Sequence, residues 1–472
     1  MVAGRDGRTK GGEPMAAAPG RSLPGSRLLA VAVLASFVAF LDGTIVTVAL
    51  PAISSALGGG LATQQWTVNA YLLTLGALIL LAGSLSDTFG RLRILRLGLL
   101  GFGVASVGCA LAWNPEALIA ARAVQGAAGA LLVPGSLALM TSAYEGQARA
   151  RAIGRWTAWT GSAAIIGPLL GGVLVDAAGW RWIFAVNVLP VAATLLLMAP
   201  LRDGGRLRTT ALDLPGAGLA VVGLGATVYG LVEQGRLGWS AAPVAVPLVL
   251  GAAAFALFLV REARAPAPMM PLSLFGARNF RVGNMVTASA YAAISLGSFA
   301  VTVFVQETAG FTAVQAGLIS LPLPAALLLL SGWFGSLAGR YGPRLFMSAG
   351  PAVAGAGFLL MLTVQPPVRF LTELLPGLLL FALGLAALVA PLTTAVLGAL
   401  RKEEAGIGSA VNNAVSRVAG LISVALIGTI SGGTLGYEGF RQTALATAVL
   451  FFAAGFTALV GIRSPERLPP GR

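Results

Sequence analysis

The chain is expected to be an all-α integral membrane protein with fourteen transmembrane helices and both termini cytoplasmic. Three observations carry this. Of 472 residues, 57% are hydrophobic and only 10% are charged, against about 25% charged in soluble globular domains. Fourteen stretches reach the roughly 20 apolar residues that a membrane crossing needs. The basic residues then alternate between the turns that separate these stretches. Put the N-terminus in the cytoplasm, and 25 of the 31 Lys and Arg fall on inner segments, as the positive-inside rule requires. One missed helix would invert every later loop, so the count and the orientation support each other.

The stretches fall at 28–50, 65–86, 94–113, 116–140, 152–175, 182–200, 213–232, 241–260, 282–305, 313–338, 345–364, 372–398, 405–430 and 443–462. Residues 1–26 are basic and rich in Gly and Pro, and are expected to form a disordered cytoplasmic tail. The first apolar stretch is too long for a signal-peptide core and has thirteen more behind it, so it is expected to stay. Arg91, Arg93 and Arg96 mark the second-to-third inner loop, and Arg149, Arg151 and Arg155 the next. Glu233, Gln234, Gly235 and Arg236 mark the outer turn inside the Ala- and Gly-rich region 213–260. Residues 464–472 form a short inner tail.

Several function classes are excluded early. One cysteine, Cys109, forbids an intrachain disulfide, and the absence of histidine removes the usual metal ligand and proton relay. The net charge of +14 is spread over inner loops and not gathered in a nucleic-acid patch. No G-K-[ST] and no G-x-G-x-x-G opens a helix, which argues against a nucleotide site. An integral-membrane enzyme would need a deep polar cluster, whereas the charges at mid-membrane depth are Asp42, Arg122 and Arg417. No metal and no cofactor is expected.

An internal repeat sets the organisation. Gly83-Ser84-Leu85-Ser86-Asp87-Thr88-Phe89-Gly90 and Gly335-Ser336-Leu337-Ala338-Gly339-Arg340-Tyr341-Gly342 share four of eight positions, and both end a span on the inner side. The second span then corresponds to the tenth. That leaves a six-helix half at 27–200, an inserted pair (spans seven and eight) at 201–264 and a second six-helix half at 265–463. Parallel six-span repeats are a transporter architecture, with the substrate site near the midplane between the halves.

Four motifs and one phrase, in order along these spans, give the chain a family resemblance. They are Leu41-Asp42-Gly43-Thr44-Ile45-Val46-Thr47-Val48-Ala49-Leu50-Pro51 in the first span, Gly83 to Arg93 after the second, and Arg122-Ala123-Val124-Gln125-Gly126 in the fourth. Gly161 followed by Gly167-Pro168-Leu169-Leu170-Gly171-Gly172 lies in the fifth, and Trp180-Arg181-Trp182-Ile183-Phe184 with Asn187 and Pro190 opens the sixth. Across all fourteen spans the chain resembles the major facilitator superfamily, and within it the fourteen-helix drug:proton antiporters of the EmrB/QacA type. It departs from the pattern at Thr47, Thr88, Leu92 and Gly339. The resemblance implies two six-helix halves that line a central cavity in alternating access.

The residues then take candidate roles. Asp42 lies about 14 residues into the first span, ~21 Å from the inner face, and Arg122 sits at the same height on the fourth. An acid at that depth is expensive and usually marks an ion or proton pathway; the pair is the candidate proton-coupling site. Gly83, Asp87, Gly90 and Arg91 are the candidate cytoplasmic gate, with the glycines permitting a tight turn and close helix approach. Gly161, Gly167, Pro168, Gly171 and Gly172 form the antiporter-motif helix, whose small residues let a neighbour come close. Gln125, Tyr71, Asn412, Asn413 and Arg417 are candidates for the substrate cavity. Asp176, Glu233, Glu307 and Glu373 are placed at outer ends.

The reading is a proton-coupled efflux antiporter for small amphipathic compounds, of the drug or antibiotic resistance type, in a bacterial cytoplasmic membrane. Two lysines among so many arginines and alanines fit a GC-rich bacterial genome. Its partners are a small-molecule substrate, protons and the lipid bilayer, with the proton gradient as energy source, no nucleic acid, and a monomeric transport unit. The charge inventory favours neutral, zwitterionic or monocationic compounds over dications. The alternatives are an uptake symporter of similar fold and a non-transporting membrane sensor or scaffold.

Overall fold

Helices rich in Leu, Val, Ala and Gly on every side cannot hide one apolar stripe against a core, so they suit a lipid surround. The computed structural model describes residues 25–201, 213–265, 268–401 and 404–463, and these are helical nearly throughout. Of the tails expected at 1–26 and 464–472, residues 1–24 and 464–472 lie outside the described residues, while Gly25 and Ser26 already belong to the first helix. In order, the helices are α1 Gly25–Leu57, α2 Gly60–Phe89, α3 Arg91–Ala110, α4 Pro115–Ala143, α5 Gly146–Ala178 and α6 Trp182–Met198. Then follow α7 Leu214–Leu237, α8 Ala242–Arg264, α9 Arg278–Glu307 and α10 Ala313–Tyr341. The last four are α11 Pro343–Thr363, α12 Phe370–Leu397, α13 Ala405–Ser431 and α14 Tyr437–Gly461. Short breaks interrupt α6 at Val186–Asn187, α10 at Ser320–Leu321 and α13 at Leu426.

Among the described residues, 12 helices are long and apolar enough to cross a membrane. The sequence expectation was fourteen. The two outside that set are α6, which is short, and α2, which is 30 residues long and runs through Leu72–Ala82 as an almost wholly apolar stretch.

Helix ends follow local chemistry. Asn114 caps α4 through the Ala117 N–H at 2.8 Å, Asp213 caps α7 through the Gly216 N–H at 2.9 Å, and Thr312 with Gln315 forms a capping box on α10. The two copies of the repeat end alike: Gly90 (φ 100°) and Gly342 (φ 87°) both take the left-handed side of φ between consecutive helices, a position that favours glycine.

The packing repeats as well. Within the first half the close pairs are α1–α5, α1–α6, α2–α4, α3–α4 and α3–α6; within the second they are α9–α13, α9–α14, α10–α12, α11–α12 and α11–α14. Adding eight to each helix number converts one list into the other. The halves meet through α2 with α13, α5 with α10, and α1 with α9, which is the pattern a pseudo-two-fold axis generates. The α7–α8 hairpin packs on α2 and α13, beside that seam.

Polar contacts sort the helix ends into two groups. On one side, Gln64 at the start of α2 donates to Glu307 at the end of α9, and Gln65 donates to Val424 O and Ala425 O on α13 at 2.7 and 2.9 Å. On the same side, Asp176 near the end of α5 accepts from the Ala313 and Val314 N–H groups that open α10, at 3.2 and 2.9 Å. Thr429 on α13 donates to Gln234 near the end of α7, and Arg181 before α6 donates to Ala112 O after α3 at 2.9 Å. On the other side, Arg96 near the start of α3 donates to Met198 O at the end of α6 at 2.7 Å. There Arg261 on α8 pairs with Asp213 before α7 at 2.6 Å, and Arg278 and Arg344 reach the end of α14.

Candidate functional site

The deepest polar cluster is built from α1, α2, α3, α4 and α6. Asp42 is fully buried and Arg122 is 2% exposed. Arg122 Nη1 donates to Asp42 Oδ2 at 2.5 Å, and the other carboxylate oxygen accepts from Gln125 Nε2 and Asn187 Nδ2, each at 2.9 Å. The guanidinium has further partners: Nη1 donates to Gln125 Oε1 at 2.6 Å and Nε to Thr67 O at 3.0 Å. Its face covers the Tyr71 ring, 4.3 Å from the centroid. Gln125 also donates to Ser106 Oγ at 2.9 Å, while Cys109 Sγ donates to Gln125 Oε1 at 3.5 Å.

Helical periodicity explains the convergence. Arg122 and Gln125 are three residues apart, so both project from one face of α4. Gly126 clears the way, because a Cβ there would stand 2.2 Å from Tyr71 O. The two charges are therefore compensated in a site closed to water. Besides Asp42, the guanidinium is held by Gln125 Oε1, Thr67 O and the Tyr71 ring.

The motif glycines of α5 sit at a three-helix junction. A Cβ on Gly167 would meet Thr44 Oγ1 at 2.0 Å, and one on Gly171 would meet Ile45 O at 2.9 Å, both on α1. On the other flank, a Cβ on Gly172 would meet Ala313 O at 2.6 Å, and one on Gly317 would meet Pro168 O at 2.4 Å. Backbone touches backbone across the two halves, next to the Asp176 cap. Gly161 and Gly83 are different, since a Cβ on either meets nothing within 4 Å. The close approach expected of Gly83 is absent in this arrangement, because its missing side chain faces open space; the tight turn is made by Gly90. Asp87 lies in the last turn of α2 and its side chain is outside the described ones, while Arg91 opens α3.

A cavity of about 240 Å³ lies between the halves beside Gly43, lined by Thr44, Thr47, Ser298, Thr302, Phe358 and Phe381 among others, with no charged residue. Of the residues expected at a substrate cavity, Tyr71 and Gln125 lie instead in the Asp42 cluster. Asn412 donates across to Asn284 Oδ1 and Thr287 Oγ1 on α9, at 3.1 and 2.8 Å. Asn413 is exposed, and its Oδ1 accepts from Arg417 Nε at 3.0 Å.

This fold and this cluster can be set beside known proteins. The sequence profile of the Major Facilitator Superfamily matches residues 32–424. The chain belongs to the major facilitator superfamily. It is 35% identical over 440 residues to the puromycin resistance protein pur8 of Streptomyces alboniger, covering 92% of this chain and 87% of that one. It is 35% identical to the cephamycin export protein CmcT of Amycolatopsis lactamdurans over 421 residues, 86% of this chain and 85% of the relative. The methylenomycin A resistance protein of Bacillus subtilis is 33% identical over 412 residues, 87% and 88% of the two chains. Among solved structures, the peptide transporter POT in complex with sulfate superposes with a TM-score of 0.70 at 16% identity over 92% of this chain and 94% of that one, which speaks to fold alone. The protein is thus a multi-pass membrane transporter of this superfamily.

Three members of the Asp42 cluster are not legible in the sequence. Asn187 stands there only in the sixth-span phrase, yet it donates to Asp42; the available signal is a carboxamide inside an apolar stretch. Ser106 and Cys109 gave no signal, since small polar residues are common in membrane helices.

Proposed function

We propose that the protein is a proton-coupled efflux antiporter of the fourteen-helix drug:proton branch, exporting small amphipathic compounds from a bacterial cell across its plasma membrane. The observation that carries this is Asp42, a buried carboxylate paired with Arg122 at 2.5 Å, on a helix (α1) that meets the second half at α9. An acid held in that setting is the only described carboxylate deep in the N-terminal half, and it can be loaded with a proton only when a conformational change opens the cluster. Export is supported by the relatives, whose names record resistance to puromycin and methylenomycin A and export of cephamycin. The α1–α5–α10 glycine junction supports a state in which the outer side is shut while the transport path faces inward.

Fourteen crossings are supported by the two groups of helix ends. α6 begins beside the end of α3 and finishes beside its start, so it covers the same depth despite its length. α2 begins with the outer ends of α9 and α13 and turns directly into α3 at Gly90. With every segment crossing, both termini return to the basic, cytoplasmic side. The cycle then runs as an exchange: substrate enters from the inside, and a proton taken up by Asp42 from outside loosens the Arg122 pair as the halves rock.

The test is efflux into inverted membrane vesicles with a panel of amphipathic compounds. Transport should require the pH gradient, stop when a protonophore dissipates it, and fail in Asp42→Asn. Uptake that persists without the gradient would overturn the antiport reading.

A further inference from the structure

Arg417 lies in the middle of α13, twelve residues from Ala405 and fourteen from Ser431. It faces α2, where its Cβ stands 3.7 Å from the place a Cβ would take on Gly76, so it sits on the seam between the halves. Its Nε donates to Asn413 Oδ1, and among the described residues its two Nη groups meet no acceptor and no carboxylate. The phenols of Tyr71 and Tyr291 act on it electrostatically, and the Tyr291 hydroxyl is itself without a hydrogen-bond partner among the described residues. Both Arg417 and Tyr291 are half-buried and Asn413 is exposed, and none of their free polar atoms is among the fully buried unpartnered ones.

The charges do not balance here. Arg122 is matched by Asp42, which leaves Arg417 as an unmatched cation near the midplane. A charge at a helix centre is costly, and intramembrane cations are normally paired. Guanidinium is also the group best shaped for planar anions, because its donors form a fork that fits a carboxylate.

We propose that Arg417, with the Tyr291 hydroxyl and the Asn413 amide, is the subsite for an anionic group of the substrate. The transported compounds are then amphipathic organic acids or zwitterions that carry a carboxylate. This rests on the transporter reading above and narrows the charge-based expectation: zwitterions remain favoured, and cations without an acid group do not. Ser298, in the uncharged cavity, is seven residues from Tyr291, so the two share a face of α9 about 10 Å apart. An apolar body in that cavity would leave its acid group within reach of Arg417.

The experiment is equilibrium binding to the purified full-length protein in nanodiscs, with no gradient present. The probes are dansyl-leucine, which carries a free carboxylate, and dansyl-leucine amide, its neutral counterpart. The wild type should bind the acid about tenfold or more tightly than the amide, as charge-assisted paired hydrogen bonds imply. Arg417→Gln should erase that difference, Arg417→Lys should restore part of it, and Tyr291→Phe should reduce it with the charge intact. Tyr291→Phe gives an independent reading should Arg417→Gln fold poorly. Equal binding of both probes by the wild type, or an acid preference that survives Arg417→Gln, would overturn the proposal. Because binding is read without a gradient, the outcome is independent of whether transport proves to be proton-driven.

Discussion

Asp42 and Arg122 each neutralise a charge that the other could not leave alone at this depth. Removing one partner of a buried pair costs about 3–5 kcal/mol, whereas replacing both is often close to neutral. Asp42→Asn leaves Arg122 with Gln125 Oε1 and Thr67 O but no counter-charge. Arg122→Gln leaves the carboxylate with only two amide donors. Each single variant should therefore lower the unfolding temperature of the purified protein, and the double variant should recover most of that loss. All three should lack gradient-driven efflux. A double variant as unstable as the sum of the singles would show that the two side chains act separately, and efflux by the double variant would remove the pair from coupling.

At the scale of elements, the informative contact is that of α5 with α10. Gly172 and Gly317 bring backbone against backbone between the halves, and Asp176 adds a carboxylate at the α10 N-terminus, where negative charge is favoured by about 0.3–1 kcal/mol. A methyl group on Gly172 would overlap main-chain atoms that cannot rotate away. Gly172→Ala should shift the population toward the state open on the outer side, and Asp176→Asn should shift it less. Spin labels on the outer ends of α5 and α10 would read this as a longer-distance component that grows in the order wild type, Asp176→Asn, Gly172→Ala. An unchanged distance distribution would reduce the junction to ordinary helix packing.

For the whole molecule, the alternation of ends predicts which loops face which compartment. In a Cys109→Ser background, a single cysteine at Trp239, between α7 and α8, should react with a membrane-impermeant maleimide added outside intact cells. One at Ala265, after α8, should react only once the inner face is exposed. Cys109 is buried, so its replacement removes background without opening the surface. The opposite labelling pattern would mean that an odd number of the segments before α7 crosses, and would sink the fourteen-span topology. The seam that brings α2 against α13 and α5 against α10 is the same pseudo-two-fold contact seen twice.

Composition and apolar stretches were enough to identify a multi-pass membrane protein, because lipid demands that each crossing be apolar along its whole length; the repeat at Gly83–Gly90 and Gly335–Gly342, with the ordered motifs, pointed to a transporter of two halves. The depth of Asp42 and Arg122 was also legible, since a helix rises by a fixed amount per residue and both could be counted from a membrane face. Sequence could not give azimuth, the direction in which a side chain points around its helix. That is why Tyr71 is read from the sequence as a cavity residue yet lies against Arg122, and why Asn187 carries no sign there of its contact with Asp42. Nor could it separate Gly172, whose missing Cβ admits another backbone, from Gly83 and Gly161, which face open space. Whether Arg417 had a partner was equally undecided, because a counter-charge is a neighbour in space and not along the chain. Those questions belong to helix packing, and only the tertiary structure decided them.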